Sequence, residues 1–473
     1  MKIFTKKTGQ LLSAILACAM ITACGGPTTT TEDGKTIVEV SEWPTYESGI
    51  KLYDGYLASF NENYGDKYEI VQNTWIYDYQ TFLMKAASGQ LPTVLTSYFT
   101  EADRMKNSGY GADITDKLEE LDLLDRMEPR AREIVEKDGR IYCAPKDGYL
   151  LGVVFNANLF EQAGLKNADG TYQFPKTWDE LAETAKVIKE KTGKAGFLLG
   201  ALDAGGGWLF TNVAWSFGVN FVEQNEDGKW IATFNSRECY DAFQYMYDLK
   251  WKHDVIPASY MLSQQQGLEF LATDQVAMLL DSPSTNARTC VTKYKMNIDG
   301  VGAFAMPEGP ARRVALLGGR IIAASADSTE EQINGAFEWW KTTGELPAIE
   351  LTEEYKAAKE ASYQEALSAE IVRPIGVYSY SPWTGVESTA YDKEMVDKYR
   401  NVPVELYADY NASLTDETTE IQAEVPVCCQ DLYTLLTGIL QNIWSNEDAD
   451  IEALVNEACE KWQKDYLDQQ VNK

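Results

Sequence analysis

Short apolar runs alternate with helical patterns through the first part of the chain. Runs of strand type occupy residues 35–40, 68–71 and 91–95. Between them, residues 47–61 repeat apolar positions at helical spacing, and a second helix is expected over residues 78–88. This β-α-β-α-β order with short connections predicts a mainly parallel sheet that is covered by helices on both faces.

The residues that follow the predicted strands are the first candidates for a binding site. In parallel sheets, ligands sit beyond the carboxyl ends of the strands. Glu42 and Trp43 follow the first run, and Ser97 and Tyr98 follow the third. We therefore expect these side chains to lie along one edge of the sheet.

Two later helices carry capping signals. Thr177 and Glu180 have the spacing of a capping box, in which each side chain bonds a backbone N–H of the first turn. Gly193 stands where the C-terminal cap of that helix belongs. Ser236 is placed to begin another helix, which runs to about residue 252. Trp178 falls on the apolar face of the first helix, so we expect it in the core.

The rest of the chain is mostly helical in pattern. Glycines 205–207 are interpreted as a flexible turn before Trp208, and residues 225–229 as a hairpin turn. Residues 373–389, with Trp383, form a predicted loop. Further helices are predicted at about residues 329–342, 352–368, 429–445 and 449–469.

The N-terminus has the composition of an export signal. Residues 1–23 join a lysine-bearing start to an apolar run that is too short to span a membrane. The sequence around Cys24, ITACG, looks like a bacterial lipobox, which implies that Cys24 is diacylated and becomes the mature N-terminus. Residues 24–35 are then the lipidated N-terminus and a flexible tether. The alternative is an ordinary signal peptide with an incidental cysteine.

Length and composition favour a folded protein of at least two lobes. The chain has 473 residues, with 45% apolar and 12% aromatic residues, which is too long for one ordinary core. Tyr (27) and Trp (12) are abundant, and both offer an apolar face with a polar tip. The formal net charge of −30 argues against nucleic acid and other polyanions as partners.

Most enzymatic chemistries lack their residues or motifs here. The sequence has one histidine, His253, which we interpret as a solvated residue at a helix end. No glycine-rich dinucleotide or P-loop fingerprint follows a predicted strand. Six cysteines remain beyond Cys24, and buried free thiols are favoured over a disulfide framework. A hydrolase that uses a pair of carboxylates stays open, because 72 acidic residues always supply a pair somewhere.

Two stretches of the chain carry a family signature. Residues 138–191 contain Arg140-Ile141-Tyr142, Pro145, the apolar run 150–156 and Pro175-Lys176-Thr177-Trp178. Residues 300–324 contain Met-Pro-Glu-Gly-Pro, followed by a strand with Gly-Gly. In order and content, the chain resembles the bacterial extracellular solute-binding proteins that deliver sugars to ABC importers.

The resemblance implies an α/β, two-lobed periplasmic-binding-protein-like fold of type II, with extra C-terminal helices. Each lobe is expected to hold a mainly parallel sheet flanked by helices. The implied N-terminal lobe comprises residues 36–146 and 300–345. The implied C-terminal lobe comprises residues 147–299 and 346–473.

The resemblance also implies a ligand cleft between the lobes. A pyranose ring stacks on Trp or Tyr, and its hydroxyls need charged or amide partners. By family position, the expected ligand-binding residues are Glu42, Trp43, Tyr98, Tyr149, Trp208, Trp215, Asp281, Gly319, Arg320 and Trp383.

The function implied by the family is passive capture of a carbohydrate, chiefly an oligosaccharide, for delivery to the transmembrane subunits of an ABC permease. The expected protein is a monomer outside the cytoplasm, held to the membrane by its lipid alone, with no cofactor, no metal and no nucleic-acid partner. The alternatives are an exported carbohydrate-active enzyme and a binding protein for a non-sugar solute.

Overall fold

The computed structural model describes residues 29–472, and the predicted signal and Cys24 lie outside this range. Within it, no helix is both long enough and apolar enough to cross a membrane. The strands are Thr36–Val40 (β1), Tyr68–Gln72 (β2), Val94–Tyr98 (β3), Glu136–Lys137 (β4), Arg140–Ile141 (β5), Ala144–Leu150 (β6), Gly152–Asn156 (β7), Ala195–Leu198 (β8), Val222–Gln224 (β9), Trp230–Ala232 (β10), Val276–Asp281 (β11), Val301–Phe304 (β12), Val314–Ala324 (β13) and Glu420–Ala423 (β14).

The helices pack on the faces of two sheets. They are Glu47–Tyr64 (α1), Tyr79–Ala87 (α2), Ala102–Lys106 (α3), Thr115–Glu120 (α4), Pro129–Val135 (α5), Ala157–Gln162 (α6), Trp178–Thr192 (α7), Gly205–Phe217 (α8), Arg237–Trp251 (α9), Gln264–Ala272 (α10), Pro283–Thr292 (α11), Glu330–Thr343 (α12), Glu353–Ser368 (α13), Glu387–Lys398 (α14), Ala408–Ser413 (α15), Cys429–Ser445 (α16) and Ile451–Trp462 (α17). After α17 the backbone continues as a π-helix, Gln463–Val471.

The first lobe is built on a sheet in the order β14-β13-β3-β1-β2. Strands β1, β2 and β3 are parallel, as predicted, while β13 runs antiparallel to β3. Helix α12 packs on β1, helix α1 packs on β2 and on α12, and Phe60 and Trp339 are buried between them. The carboxyl ends of β1, β2 and β3 therefore meet at one edge of this sheet.

The second lobe is built on a sheet in the order β12-β7-β11-β8. Strand β7 is antiparallel to both β11 and β12, and β8 is parallel to β11, so this sheet is mixed and the expectation of a mainly parallel sheet is wrong for the second lobe. Every residue of β7 and β11 is buried, because helices cover both faces of this sheet.

Two long strands join the lobes. Strands β6 and β13 pair in antiparallel register from Leu317 opposite Leu150 to Ile322 opposite Ala144, with an irregularity after Arg320. We call this pair the connecting ribbon. At its end, β6 passes through Leu151 directly into β7 of the second sheet. The connecting ribbon thus belongs to the first sheet and leads into the second.

The strand pairing differs from the expected lobe boundaries at two places. Strand β12, which falls in the expected N-terminal segment 300–345, pairs with β7 in the second sheet. Strand β14, which falls in the expected C-terminal segment 346–473, pairs with β13 in the first sheet. In both cases the strand pairs with the free edge of a neighbouring strand. The order of segments along the chain does not predict which sheet offers that edge.

The capping predictions are confirmed, with one change of partner. Thr177 caps α7 by accepting from the N–H of Glu180, and Gly193 ends the helix in the left-handed conformation. The Glu180 carboxylate reaches back to the N–H of Lys176 at 2.7 Å, one residue before the cap. Ser236 caps α9 as predicted. Trp178 is 2% exposed and lies in the core, where its indole N–H donates to a serine hydroxyl.

The interpretation of glycines 205–207 as a flexible turn is wrong, because they form the first turn of α8. Their purpose is close packing. A Cβ on Gly207 would lie 2.0 Å from the carbonyl oxygen of Tyr433 on α16. The N–H of Gly207 also donates to Thr437 Oγ1 at 2.7 Å. Only glycine lets α8 approach α16 this closely.

The cysteines follow their prediction, and the histidine lies at a helix end as predicted but is less exposed than expected. All six cysteines of the described residues are free thiols, and all but the half-buried Cys428 are buried. His253 is half-buried just beyond the end of α9.

Candidate ligand-binding site

Two ion pairs lie where β6 and β13 meet the first lobe. Arg320 binds Asp147 across the connecting ribbon. The backbone N–H of Arg320 donates to Asp147 Oδ1 at 3.0 Å, and its Nε donates to Oδ2 at 2.8 Å. One residue earlier, Lys146 Nζ lies 2.5 Å from Glu345 Oε1, and both of these side chains are nearly buried. Each cation therefore has a carboxylate partner supplied by the protein.

Glu42 faces these ion pairs from the loop after β1. Its backbone is in the left-handed region, with φ at +57°, a conformation that costs a non-glycine residue about 1–3 kcal/mol. The N–H of Glu42 donates to the carbonyl of Trp75 at 2.9 Å, which holds the loop in place. Burial raises the pKa of Glu42, and the positive charges of Lys146 and Arg320 oppose that rise. Strain of this kind clusters at functional sites.

Tyr98 ends β3 and is opposite Arg320 in the strand register. Its side chain is 49% exposed, which makes it one of the most exposed large apolar groups of the described chain. Its ring meets Tyr77 edge to face at 6.3 Å. Tyr98, Arg320 and Glu42 thus share the edge of the first sheet that the sequence predicts.

Tyr149 occupies the middle of the connecting ribbon. It is opposite Gly318 in the register, and a Cβ on Gly318 would lie 2.4 Å from the Tyr149 ring. Glycine at 318 therefore leaves room for the tyrosine to lie across the strand. The ring meets Trp208, from the first turn of α8, edge to face at 6.3 Å. Both aromatic side chains are half-buried, so each keeps an exposed part.

The hydroxyl of Tyr149 interacts electrostatically with acidic side chains from several elements. Burial raises its pKa most, and the negative charges of Glu424, Asp281 and Asp147 raise it further. Glu424 follows β14 of the first sheet, Asp281 ends β11 of the second sheet, and Asp147 belongs to the ribbon. Acids from three elements therefore act on this hydroxyl, and of the three only Asp281 was predicted.

Glu424 is a site residue that the sequence interpretation missed. It follows β14, a four-residue strand whose side chains are all half-buried and show no alternation. The Tyr433 hydroxyl donates to Glu424 Oε1 at 3.0 Å, and the Trp208 indole is a second donor. Burial raises the pKa of Glu424 to about 7, and the two hydrogen bonds offset part of that rise. The one sequence signal was an acid directly after a strand, and the strand itself was not recognised.

Asp281 ends β11 and is fully buried. Its Oδ1 accepts from Gln264 Nε2 at 2.6 Å and from the N–H of Ser282 at 2.7 Å. Its Oδ2 has no hydrogen bond of regular geometry, although the Asn286 amide lies nearby. Burial raises the pKa of Asp281 to about 7. This carboxyl is positioned behind Tyr149 and is not on the open surface.

Three of the predicted tryptophans lie in the core. Trp43 is 5% exposed and stacks on Trp339 at 5.6 Å, between α1 and α12. Trp215 is 2% exposed inside the second lobe. Trp383 is 4% exposed, and its indole N–H donates to the carbonyl of Pro145 on β6 at 3.0 Å. The structure corrects the expectation that these rings face the ligand, because packing in the core covers their apolar surfaces.

Gly319 and the loop around Trp383 shape the other side of the ribbon. A Cβ on Gly319 would lie 2.3 Å from the carbonyl oxygen of Asp147 and 2.8 Å from the Phe99 ring. Tyr380 packs over Gly148, 3.1 Å from the position of a Cβ there. Gly319 is therefore needed because the backbone of β6 and the Phe99 ring approach it so closely. Tyr380 is an aromatic residue beside the candidate site, and the sequence interpretation did not include it.

The arrangement can bind a polar ring but holds no metal centre. Among residues 29–472, no group of three or more histidine, cysteine or acidic side chains is placed to hold a metal ion. The half-buried rings of Tyr149 and Trp208 offer apolar faces. Polar groups lie beside them: Glu424 accepts from the Trp208 indole, and Asp147, paired with Arg320, is among the charges that act on Tyr149.

Comparison with known proteins gives a consistent result. Residues 47–342 match the family model of the bacterial extracellular solute-binding protein. The arabinooligosaccharide-binding protein of Halalkalibacterium halodurans is 24% identical over 234 residues, which cover 47% of this chain and 48% of that protein. The lactose-binding protein of Rhizobium radiobacter is 28% identical over 159 residues, or 33% of this chain and 35% of that one. The chain thus spans about half or less of the length of these relatives.

Solved structures share the fold over nearly the whole chain. The cyclic alpha-maltosyl-1,6-maltose binding protein from Arthrobacter globiformis has a TM-score of 0.63 at 18% identity, covering 90% of this chain and 98% of its own. Maltose-bound MalE3 of T. maritima has a TM-score of 0.62 at 19% identity, covering 90% and 99%. The two-lobed α/β fold is confirmed. With a family match that extends from α1 to α12, the chain belongs to the bacterial extracellular solute-binding proteins.

Proposed function

We propose that this protein is the substrate-binding subunit of an ABC importer and that its ligand is an oligosaccharide held between the two lobes. The observation that carries the proposal is the Tyr149–Trp208 pair, which sits where β6 passes from one lobe to the other. Hydrogen-bonding side chains surround these rings on both sides.

Sugar chemistry fits this arrangement. The C–H face of a pyranose packs on an aromatic ring, while its rim of hydroxyls donates to carboxylates and accepts from guanidinium groups. Glu42 and the Asp147–Arg320 pair lie along the edge of the first sheet, and Glu424, which follows β14 of the same sheet, lies beside Trp208. The names of the relatives, arabinooligosaccharide-binding and lactose-binding, support the same ligand class.

The protein acts by closure and delivery, without changing its ligand. Rotation of the lobes about the connecting ribbon would bury the sugar, and the closed form would then be presented to the permease. Family members are binding proteins, which supports this passive role over an exported hydrolase. We take the protein to work as a monomer.

Attachment to the membrane completes the proposed function. Lipid on Cys24 would hold the protein at the outer face of the bacterial membrane, with residues 24–35 as the tether. A Cys24→Ala variant should be released into the soluble fraction and should no longer incorporate labelled palmitate. Retention of this variant in washed membranes would contradict lipid anchoring and leave the fold unaffected.

Calorimetry tests the ligand class. Purified protein is titrated with a panel of oligosaccharides, and the same samples are analysed for products by chromatography. Binding without product is expected. Product formation would identify an enzyme, and heat from peptides or polyamines with none from sugars would identify a non-sugar binding protein.

A matched pair of tryptophan variants tests the site. Trp208→Ala should weaken binding by about 1–3 kcal/mol, the cost of losing a buried aromatic contact. Trp230→Ala is the control, because Trp230 is equally half-buried but lies on the β9–β10 hairpin of the second lobe. Equal affinity of both variants for the sugar would remove Trp208 from the site.

A further inference from the structure

In the proposed cleft the cations have carboxylate partners, whereas two of the acids have no cation as partner. On the first-lobe side, Arg320 is bound by Asp147 through two donor groups, and Lys146 is bound by Glu345. These cations are therefore already neutralised by the protein. They have little capacity left to bind a carboxylate or a phosphate of a ligand.

Glu424 and Asp281 have no such cations. The partners of Glu424 are Tyr433 and Trp208, which are neutral donors, and its remaining electrostatic neighbour is Glu101, an acid that is itself paired with Arg104. The partners of Asp281 are Gln264, the Ser282 N–H and Asn286, which are neutral as well. Asp281 also keeps one buried oxygen without a regular hydrogen bond. Burial raises the pKa of both carboxyls to about 7.

Closure over a neutral ligand would make this imbalance more costly. Each carboxylate that loses its water without a counter-ion costs several kcal/mol, or it must take up a proton. A ligand that brings a positive charge removes the need for either. The aromatic rings add to this preference, since a cation over Tyr149 or Trp208 gains roughly 0.5–2 kcal/mol.

We propose that the saccharide taken by this site carries a protonated amine, and that the amine binds beside Tyr149 and Trp208 within reach of Glu424. The inference rests on the proposed function and narrows its ligand to amino sugars. Acidic sugars, such as uronates and sugar phosphates, are excluded by the same charges.

A ligand pair that differs only at the amine provides the test. Purified protein is titrated with glucosamine trimer and with the fully N-acetylated trimer, and maltotriose serves as a sugar without nitrogen. We expect the amine form to bind at least about tenfold more tightly than either of the others, about 1.4 kcal/mol. This comparison uses the native protein and does not depend on any variant folding correctly.

Two glutamate variants then assign the effect to a residue. Glu424→Gln keeps the shape and the bond from Tyr433, and it should lower the affinity for the amine form about tenfold more than the affinity for the N-acetylated trimer. Glu457→Gln, which changes an exposed glutamate on α17, should change neither affinity. Thermal unfolding shows whether each variant is folded.

The outcomes separate this inference from the proposed function. Tight binding of maltotriose or of the acetylated trimer, equal to or tighter than the amine form, would overturn the inference and leave sugar binding intact. An equal loss of both affinities in Glu424→Gln would assign Glu424 to sugar hydroxyls alone and overturn the inference as well. Binding of a polyamine with no response to any saccharide would overturn the proposed function itself.

Discussion

Replacing Asp281 by asparagine should change how the stability of the protein depends on pH. The carboxyl is fully buried, and burial raises its pKa from the ordinary 3.8 to about 7. Between these two values the folded state holds a proton that the unfolded state has released. The native protein therefore loses stability as pH rises through this window, because folding must either keep the proton or bury the charge.

The magnitude follows from the width of the window. A shift of about 3 pH units at about 1.4 kcal/mol per unit gives a loss on the order of 4 kcal/mol between about pH 4 and about pH 7. Asp281→Asn keeps an oxygen that can accept from Gln264 Nε2 and the Ser282 N–H. It cannot ionise, so this loss disappears from its pH profile.

Denaturant unfolding of both proteins across this pH range measures the effect. The free energy of unfolding of Asp281→Asn, minus that of the native protein, should increase by roughly 4 kcal/mol from the acidic to the neutral end. Asp227→Asn, in the exposed β9–β10 turn, is the control and should give a flat difference. A difference for Asp281→Asn that is equally flat, within about 1 kcal/mol, would refute the argument that a buried charge limits stability here.

Two further substitutions test how the aromatic residues are used. Trp43→Ala should destabilise the fold by about 3–5 kcal/mol, since the ring is buried against Trp339, and should leave ligand affinity close to normal in the folded fraction; selective loss of affinity with unchanged unfolding would show that Trp43 contacts the ligand. Gly318→Ala should displace the Tyr149 ring and lower affinity about tenfold or more while costing about 1–3 kcal/mol of stability. Normal affinity in calorimetry would show that the position of Tyr149 does not matter for binding.

Local signals in the sequence predicted the fold well where one residue decides the structure. Thr177 and Gly193 fix the two ends of α7 by hydrogen bonding and by left-handed backbone geometry, and neither depends on distant contacts. The first three strands were likewise predicted from their local sequence patterns, without reference to distant contacts. Glycines 205–207 misled the interpretation because their helix exists to contact α16, which lies more than two hundred residues later.

The site was less predictable than the fold for a related reason. The position after a strand correctly placed Glu42 and Tyr98 at one edge of the first sheet, because the sheet edge itself brings them together. Residue type alone could not predict that Trp208 is half-buried and Trp43 buried, since the burial of each ring depends on which helix packs against it. Glu424 was missed because β14 is stabilised by pairing with β13 and not by a pattern of its own.

The connecting ribbon sets an order in which contacts with a ligand form. Because β6 and β13 are hydrogen-bonded from Leu317 to Ile322 and β6 leads directly into the second sheet, we expect the proposed closure to turn about this ribbon. Tyr149 and Arg320 lie on this axis and would scarcely move, so an arriving molecule would meet them in the open state. Side chains of the second sheet, such as Asp281 at the end of β11, would approach only on closure and would then act as the latch. Changes on the axis should therefore slow association, and changes in the latch should hasten release.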